Sequence, residues 1–234
     1  MSVAYFEFLD GLDFFLRPNQ KQRIVAIRFQ GRQSLKHLIE SLGVPHTEVG
    51  EILVNGQQAE SGRIAQDGDQ VVVHAAPRGL SIPPRFLLDN HLGRLAAYLR
   101  MLGFDCLYQN NFQDNELAHI LSRQQRVLLT RDRRLLMRKV VVYGYCLRSL
   151  EPVEQLREVI WRFDLKDKIS PFQRCLRCNT PLQPVSKEAI LERLQPLTKK
   201  YFDEFHICPS CQQIYWKGSH YERMQKRIAE FFKS

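Results

Sequence analysis

The sequence predicts an α/β protein in three consecutive segments: a β-rich opening segment, a segment of alternating strands and helices on a mostly parallel sheet, and a cysteine-bearing segment. Three observations carry this reading. The pattern changes near residue 80, where Pro77, Gly79, Pro83 and Pro84 mark a linker. Beyond it, short apolar runs alternate with helical stripes. Two Cys-x-x-Cys motifs then follow, Cys175 with Cys178 and Cys208 with Cys211. The expected domain boundaries are 1–79, 84–168 and 170–234.

In the opening segment, Val3 to Phe8 and Arg23 to Phe29 are β-branched and aromatic runs separated by Pro18-Asn19-Gln20. Leu35, Leu38, Ile39 and Leu42 fall on one face of a helix that Gly43 closes. Ile52-Leu53-Val54 runs into an Asn55-Gly56 turn, and Asp67-Gly68-Asp69 leads into the last strand, Gln70 to His74. Over Met1 to about Pro77 this order resembles the β-grasp fold of ubiquitin-like sulfur carriers. Such carriers end in a free Gly-Gly, whereas this chain reads Arg78-Gly79-Leu80 and continues. The segment is therefore expected to fold by itself and to dock a protein partner rather than to carry sulfur.

After the linker, Arg85 to Leu88 reads as a strand, and Leu92, Leu95, Leu99 and Leu102 form a helical stripe stopped by Gly103. Phe104 to Tyr108 and Arg126 to Thr130 are further strands, with helices at Glu116 to Arg123, Arg133 to Lys139 and Pro152 to Phe163. Val140 to Val142 and Tyr145 to Leu147 are both strand-like. Strands that alternate with helices favour a parallel sheet.

Each Cys-x-x-Cys pair can place two thiolates on one ion, and two pairs complete a closed tetrahedral zinc site. The knuckles are 29 residues apart, with an inserted helix expected at Lys187 to Leu194. His206 and His220 are rival ligands by proximity, while Cys106 and Cys146 lie in apolar runs as small core residues. Met1 to Asp10 lacks a basic stretch, no apolar run reaches a membrane span, and thiolate zinc sites suit a reducing compartment, so a cytoplasmic protein is expected.

The net charge of +9 is uneven: 8 Lys/Arg face 9 Asp/Glu up to Gly79, and 26 face 16 beyond it. Such a basic excess suits an acidic partner, of which nucleic acid is the commonest. Asp89 directly follows one apolar strand and Asp132 follows another, while Asp114 stands just before a helix. Open α/β sheets bind ligands at the carboxyl ends of their strands, so three such acids can hold Mg²⁺ or Mn²⁺ through hard oxygens. Each could instead cap a helix N-terminus. There is no P-loop, zincin helix or nucleophile elbow. The C-terminal run interleaves Lys217, Arg223, Lys226 and Arg227 with Tyr215, Trp216 and Tyr221, a pattern suited to phosphates and unpaired bases, and equally to a terminal helix packing Met224, Ile228 and Phe231.

Several runs together resemble the PIN-like ribonuclease family named for the C-terminal domain of a nematode mutator exonuclease. They are Arg85-Phe86-Leu87-Leu88-Asp89, Leu92-Gly93-Arg94-Leu95, Leu99 to Asp105, Asp114-Asn115-Glu116-Leu117 and Leu128 to Asp132. The zinc half adds Arg174 to Asn179, Cys208 to Cys211 and Tyr215 to His220. Some relatives carry a ubiquitin-like domain in front. The resemblance implies a PIN-like fold, divalent-metal chemistry and RNA as substrate. Asp89, Asp114 and Asp132 become the metal-binding acids, with Glu116 as a fourth and Asp105 the nearby option for another. Apart from the resemblance, basic residues cluster around Asp132, and Arg94, Arg100, Arg131, Arg133 and Arg134 are the expected phosphate contacts, while the paired spacing makes Cys175, Cys178, Cys208 and Cys211 the expected structural zinc ligands. The expected function is a metal-dependent ribonuclease; the alternative is a non-catalytic RNA-binding adaptor with structural zinc.

Overall fold

The computed structural model describes residues 1–21 and 24–231; expectations for Arg23 and for the side chains of His220, Met224, Arg227 and Phe231 lie outside what it describes. The chain opens with β1 (Ser2–Phe8), β2 (Val25–Phe29), α1 (Leu35–Ser41), β3 (Val49–Val54), β4 (Gln57–Gln58) and β5 (Gln70–Ala75). It continues through β6 (Arg85–Leu88), α2 (Gly93–Met101), β7 (Asp105–Leu107), α3 (Asp114–Arg123), β8 (Val127–Thr130), α4 (Arg133–Leu136), β9 (Gly144–Cys146) and α5 (Pro152–Arg162). The last elements are β10 (Gln183–Val185), α6 (Lys187–Ile190), α7 (Pro196–Tyr201), β11 (Phe205–Ile207), β12 (Ile214–Trp216) and α8 (Ser219–Phe231). Contacts group them into two units: Met1–Arg78 with Gln113–Leu147, and Gly79–Phe112 with Arg148–Ser234. Among the described residues no helix is long and apolar enough to cross a membrane.

In the first unit a five-stranded sheet runs in the order β2-β1-β5-β3-β4. Its β1 pairs antiparallel with β2 and parallel with β5, which is the expected β-grasp arrangement. Burial alternates along β1, with Ala4, Phe6 and Phe8 inside and Tyr5 and Glu7 outside, as one solvated face requires. Ser34 caps α1, its Oγ accepting from His37 N at 3.2 Å. Asn55 and Gly56, at φ 51° and 79°, make the two-residue turn between β3 and β4.

The rest of this unit is built around β8 and β9, which pair in parallel from Leu128 opposite Gly144 to Thr130 opposite Cys146. The opening segment was expected to stand alone, yet three polar ties bind it to this piece. The Glu48 carboxylate, in a residue only 4% exposed, accepts from Cys146 N at 2.6 Å. The His46 ring nitrogens lie 2.7 Å from Glu40 Oε1 and 2.8 Å from the Val141 carbonyl. Arg133 donates to the Phe15 carbonyl at 2.7 Å, with its guanidinium 5.3 and 5.0 Å from the Phe14 and Phe15 rings. Two local expectations shift here. Helix α3 begins at Asp114 rather than Glu116, because Gln113 is the cap and Glu116 accepts from its N–H at 2.7 Å. Of the two strand-like runs, the one overlapping Gly144–Cys146 pairs with β8, whereas Val140 to Val142 leaves Val142 exposed.

In the second unit β6 and β7 pair in parallel, from Arg85 opposite Asp105 to Leu87 opposite Leu107. Phe86, Leu95, Leu99 and Leu102 are fully buried, with the Phe86 ring 6.0 Å from those of both Phe104 and Phe163. Gly103 ends α2 at φ 95° against the Ser170 carbonyl, where a Cβ has no room. Strands β10, β11 and β12 form an antiparallel sheet of three-residue strands over a small core of Ile190, Leu194, Phe205 and Ile214. The insertion between the knuckles yields α6 and also α7, announced in the sequence only by Pro196 at its first turn.

Removing the Glu48 acceptor leaves a buried Cys146 N–H unsatisfied. Glu48→Ala should lower stability by about 1–3 kcal/mol in denaturant melts, and Glu48→Gln, which keeps an acceptor oxygen, should lie closer to the parent. Parent-like melting of Glu48→Ala would deny that this tie holds the unit together.

Candidate metal centre and acidic site

The four cysteine sulfurs expected to bind zinc lie within 4.8 Å of one another. Cys175 Sγ is 3.5 Å from Cys211 Sγ, and Cys178 Sγ is 3.3 Å from Cys208 Sγ. Four thiolates at about 2.3 Å from one ion stand roughly 3.8 Å apart, so this set fits tetrahedral zinc. Asn179 and Gln212 take left-handed φ of 69° and 59° and close the two knuckles, with Asn179 N donating to Cys175 O and Gln212 N to Cys208 O. Burial works against ionisation of Cys178, but the Thr180 hydroxyl and amide and the neighbouring sulfurs outweigh it and bring its thiol down to about 6. Cys211 goes the other way: the Gln213 amide favours its thiolate, yet burial and the other three sulfurs push it up to about 12. Crowded thiolates repel, and a divalent cation is what lets all four ionise together. His206, a rival ligand by sequence, is not in the cluster; its ring meets Phe172 edge-on at 5.4 Å.

Residues read for other roles in the sequence brace this centre. Tyr215 Oη lies 3.1 Å from Cys175 Sγ and accepts from Leu176 N at 3.1 Å. Burial and the Cys175 contact hold that hydroxyl above its usual range, so it remains a phenol able to donate to the thiolate. Arg100, in α2 and only 5% exposed, donates to the carbonyls of Cys106, Leu176 and Arg177 at 3.0, 3.1 and 2.9 Å. Asn179 accepts from Cys106 N and donates to Asp105, which also pairs with Arg174 at 3.7 Å.

The acids have distinct surroundings. Asp89 directly follows β6, and its Oδ1 accepts from Asn90 N at 2.6 Å. Asn90 Nδ2 donates to the Phe112 carbonyl at 2.9 Å, whereas its Oδ1 is buried with no hydrogen-bond partner among the described residues. His91 follows at φ 67°, and the cap position of α2 is Leu92, so Asp89 is not a helix cap. Asp132 does cap α4, its Oδ1 accepting from Arg134 N at 2.8 Å. Asp114 lies in the first turn of α3 and pairs with Arg138 at 3.1 Å, both exposed. Glu116 is occupied at the Gln113 amide. Asp114 and Asp132 belong to the first unit and Asp89 to the second.

The expected phosphate contacts divide. Arg94, Arg131 and Arg134 are exposed, and Arg131 and Arg134 line a shallow depression of about 430 Å³ with Asp132, Glu40 and Gly43. Arg100 and Arg133 differ: their guanidinium groups donate to the protein's own carbonyls, Arg100 under near-complete burial, whereas Arg133 is half-buried and also lines that depression. Asp105 is likewise taken up by Asn179 and Arg174 rather than facing a metal.

Zinc must displace thiol protons, so its affinity should fall on acidification. Competition against a chelator should show weaker zinc retention at pH 6 than at pH 8, with one zinc per chain, and Cys178→Ser should melt at lower temperature. A zinc-free protein of full stability would rule out this centre.

Two family descriptions match the chain. "Mut7-C RNAse domain" covers residues 84–228, and "Mut7-C ubiquitin" covers residues 1–79. No curated protein matches. Among solved structures the chain is similar to SAMP1 from Haloferax volcanii, at 15% identity and a TM-score of 0.27, over 34% of this chain and 100% of that one; a likeness at that level carries no argument. With the first description spanning more than half its length and the second the β-grasp segment before it, the chain belongs to the Mut7-C RNAse domain family.

Proposed function

We propose that the chain is a divalent-metal-dependent ribonuclease of PIN-like fold that hydrolyses RNA phosphodiester bonds in the cytoplasm, with its cysteine centre a structural zinc ribbon. Asp89, Asp114 and Asp132 are the proposed ligands of Mg²⁺ or Mn²⁺. The observation that carries the reading is the position of Asp89 just beyond β6 and of Asp132 just beyond β8, each strand paired in parallel within its own unit and both acids inside the stretch matched as an RNAse domain.

The donor chemistry fits a hard cation. Carboxylate oxygens suit Mg²⁺, and the unpartnered buried Asn90 Oδ1, one residue beyond Asp89, is an oxygen donor of the same kind. A bound ion supplies an activated water and neutralises charge on the leaving oxygen. The chain's own residues orient and attract. The bond from Arg134 N fixes one oxygen of Asp132, and the exposed Arg131 and Arg134 side chains beside it present cations to a phosphate. The Asp114–Arg138 pair is exposed on both sides; such pairs contribute about 0–1 kcal/mol, so Asp114 can exchange Arg138 for a metal. Glu116, by closing the first turn of α3, steadies the helix start that carries Asp114.

One geometric fact favours the adaptor alternative: Asp132 already has a structural role as a cap. The two readings part on substitution. Asn caps helices about as well as Asp, so Asp132→Asn should fold normally in either case. In a nuclease, Asp89→Asn and Asp132→Asn should each lower Mn²⁺-dependent cleavage of single-stranded RNA by orders of magnitude. In an adaptor, only Asp132→Ala should matter, through a stability loss of about 0.5–2 kcal/mol. Parent-like cleavage by Asp89→Asn would overturn the proposal.

A further inference from the structure

The second unit holds a groove of about 410 Å³, within the roughly 300–1,000 Å³ range of small-ligand clefts. Phe172, Tyr215, Trp216 and Tyr221 give it four aromatic walls, and Arg174 and Arg177 also line it. Phe172 stands at φ 71°. The other non-glycine residues with positive φ are Asp, Asn, His and Gln, polar side chains for which this conformation is less foreign. For a bulky aromatic it is strained, and strain of this kind clusters at ligand clamps. The ring is held there by edge-on contacts to Tyr221 at 5.0 Å and Tyr215 at 6.2 Å. Gly218 lets the chain pack closely on Trp216, since a Cβ at that position would lie 2.5 Å from the indole Nε1.

We infer that this groove takes an unpaired base of single-stranded RNA, an inference that rests on the ribonuclease reading for the class of its ligand. Aromatic faces stack on any base, and a base inside a duplex has no free face to offer, so the groove selects single strands. Charge favours the same occupant. Arg177 is exposed at the groove, Arg223 is exposed on the flanking helix, and Lys217 on the flanking turn adds a further exposed cation that pairs with Glu204 at 3.3 Å. A neutral or basic apolar peptide would gain nothing from those cations, whereas a phosphate backbone would.

The chain has two tryptophans, and Trp161 is 59% exposed, so Trp161→Phe makes Trp216 a lone reporter. The zinc-loaded full chain is titrated with a 12-nucleotide oligouridylate, without Mg²⁺ or Mn²⁺ so that nothing is cleaved. Trp216 emission should be quenched saturably, with competition by single strands and not by a duplex. Tyr221→Leu, which keeps an apolar side chain but removes the flat ring, should weaken binding about tenfold. Arg177→Gln should reduce the log–log salt slope by about 0.7. If Tyr221→Leu loses its zinc, Trp216 quenching decides alone. RNA bound without any change in Trp216 emission, or equal competition by duplex, would overturn the inference. Binding in the groove by a protein that never cleaves RNA would uphold it while removing the nuclease reading.

Discussion

The second unit depends on one buried cation. Arg100 has lost most of its water, and an unanswered charge in that position would cost several kcal/mol, so its guanidinium must be met by acceptors. It is met by Cys106 O in β7 and by Leu176 O and Arg177 O, the two residues between the ligands of the first knuckle. Helix α2 can keep Arg100 inside only while that knuckle keeps its fold, and the knuckle carries two of the four cysteines that could hold a zinc ion. Asn179 and Asp105 repeat the link beside it. The three-residue strands of the ribbon and its small core could not supply this alone. The four-cysteine centre therefore supports α2, which starts four residues beyond Asp89, as well as the aromatic groove built on Tyr215 and Phe172.

The first unit follows a similar rule with a buried anion. Glu48 belongs to the β-grasp segment, yet its carboxylate satisfies the backbone of β9, while Arg133 beside Asp132 is held by the carbonyls of Phe14 and Phe15. The ubiquitin-like segment is thus a structural part of the unit that carries Asp114 and Asp132.

Much of this was legible in the sequence where local chemistry decides the outcome. Cys-x-x-Cys spacing leads to a four-sulfur cluster because two residues are the length of a knuckle. Phe86, Leu87 and Leu88 read as a strand because parallel strands are buried on both faces. The Asn55-Gly56 pair reads as a turn because both φ values must be positive. What could not be read was tertiary. Arg100 and Arg133 look like phosphate contacts because the sequence carries no record of which backbone carbonyls will take up a guanidinium. Val140 to Val142 has the composition of a strand, but pairing with β8 selects Gly144–Cys146. The strain at Phe172 and the unpartnered Asn90 Oδ1 exist only once the chain is folded.

The proposed role of Asp89 and Asp132 as ligands of a divalent ion is open to a direct test. Titration of the zinc-loaded chain with Mn²⁺, following the free-ion paramagnetic resonance signal, tests it without any assay of cleavage. A saturable Mn²⁺ site beyond the zinc is expected, lost or greatly weakened in Asp89→Asn and in Asp132→Asn alike, because removing one carboxylate deprives a hard cation of a charged oxygen. Mn²⁺ binding of unchanged number and affinity in both variants would contradict it.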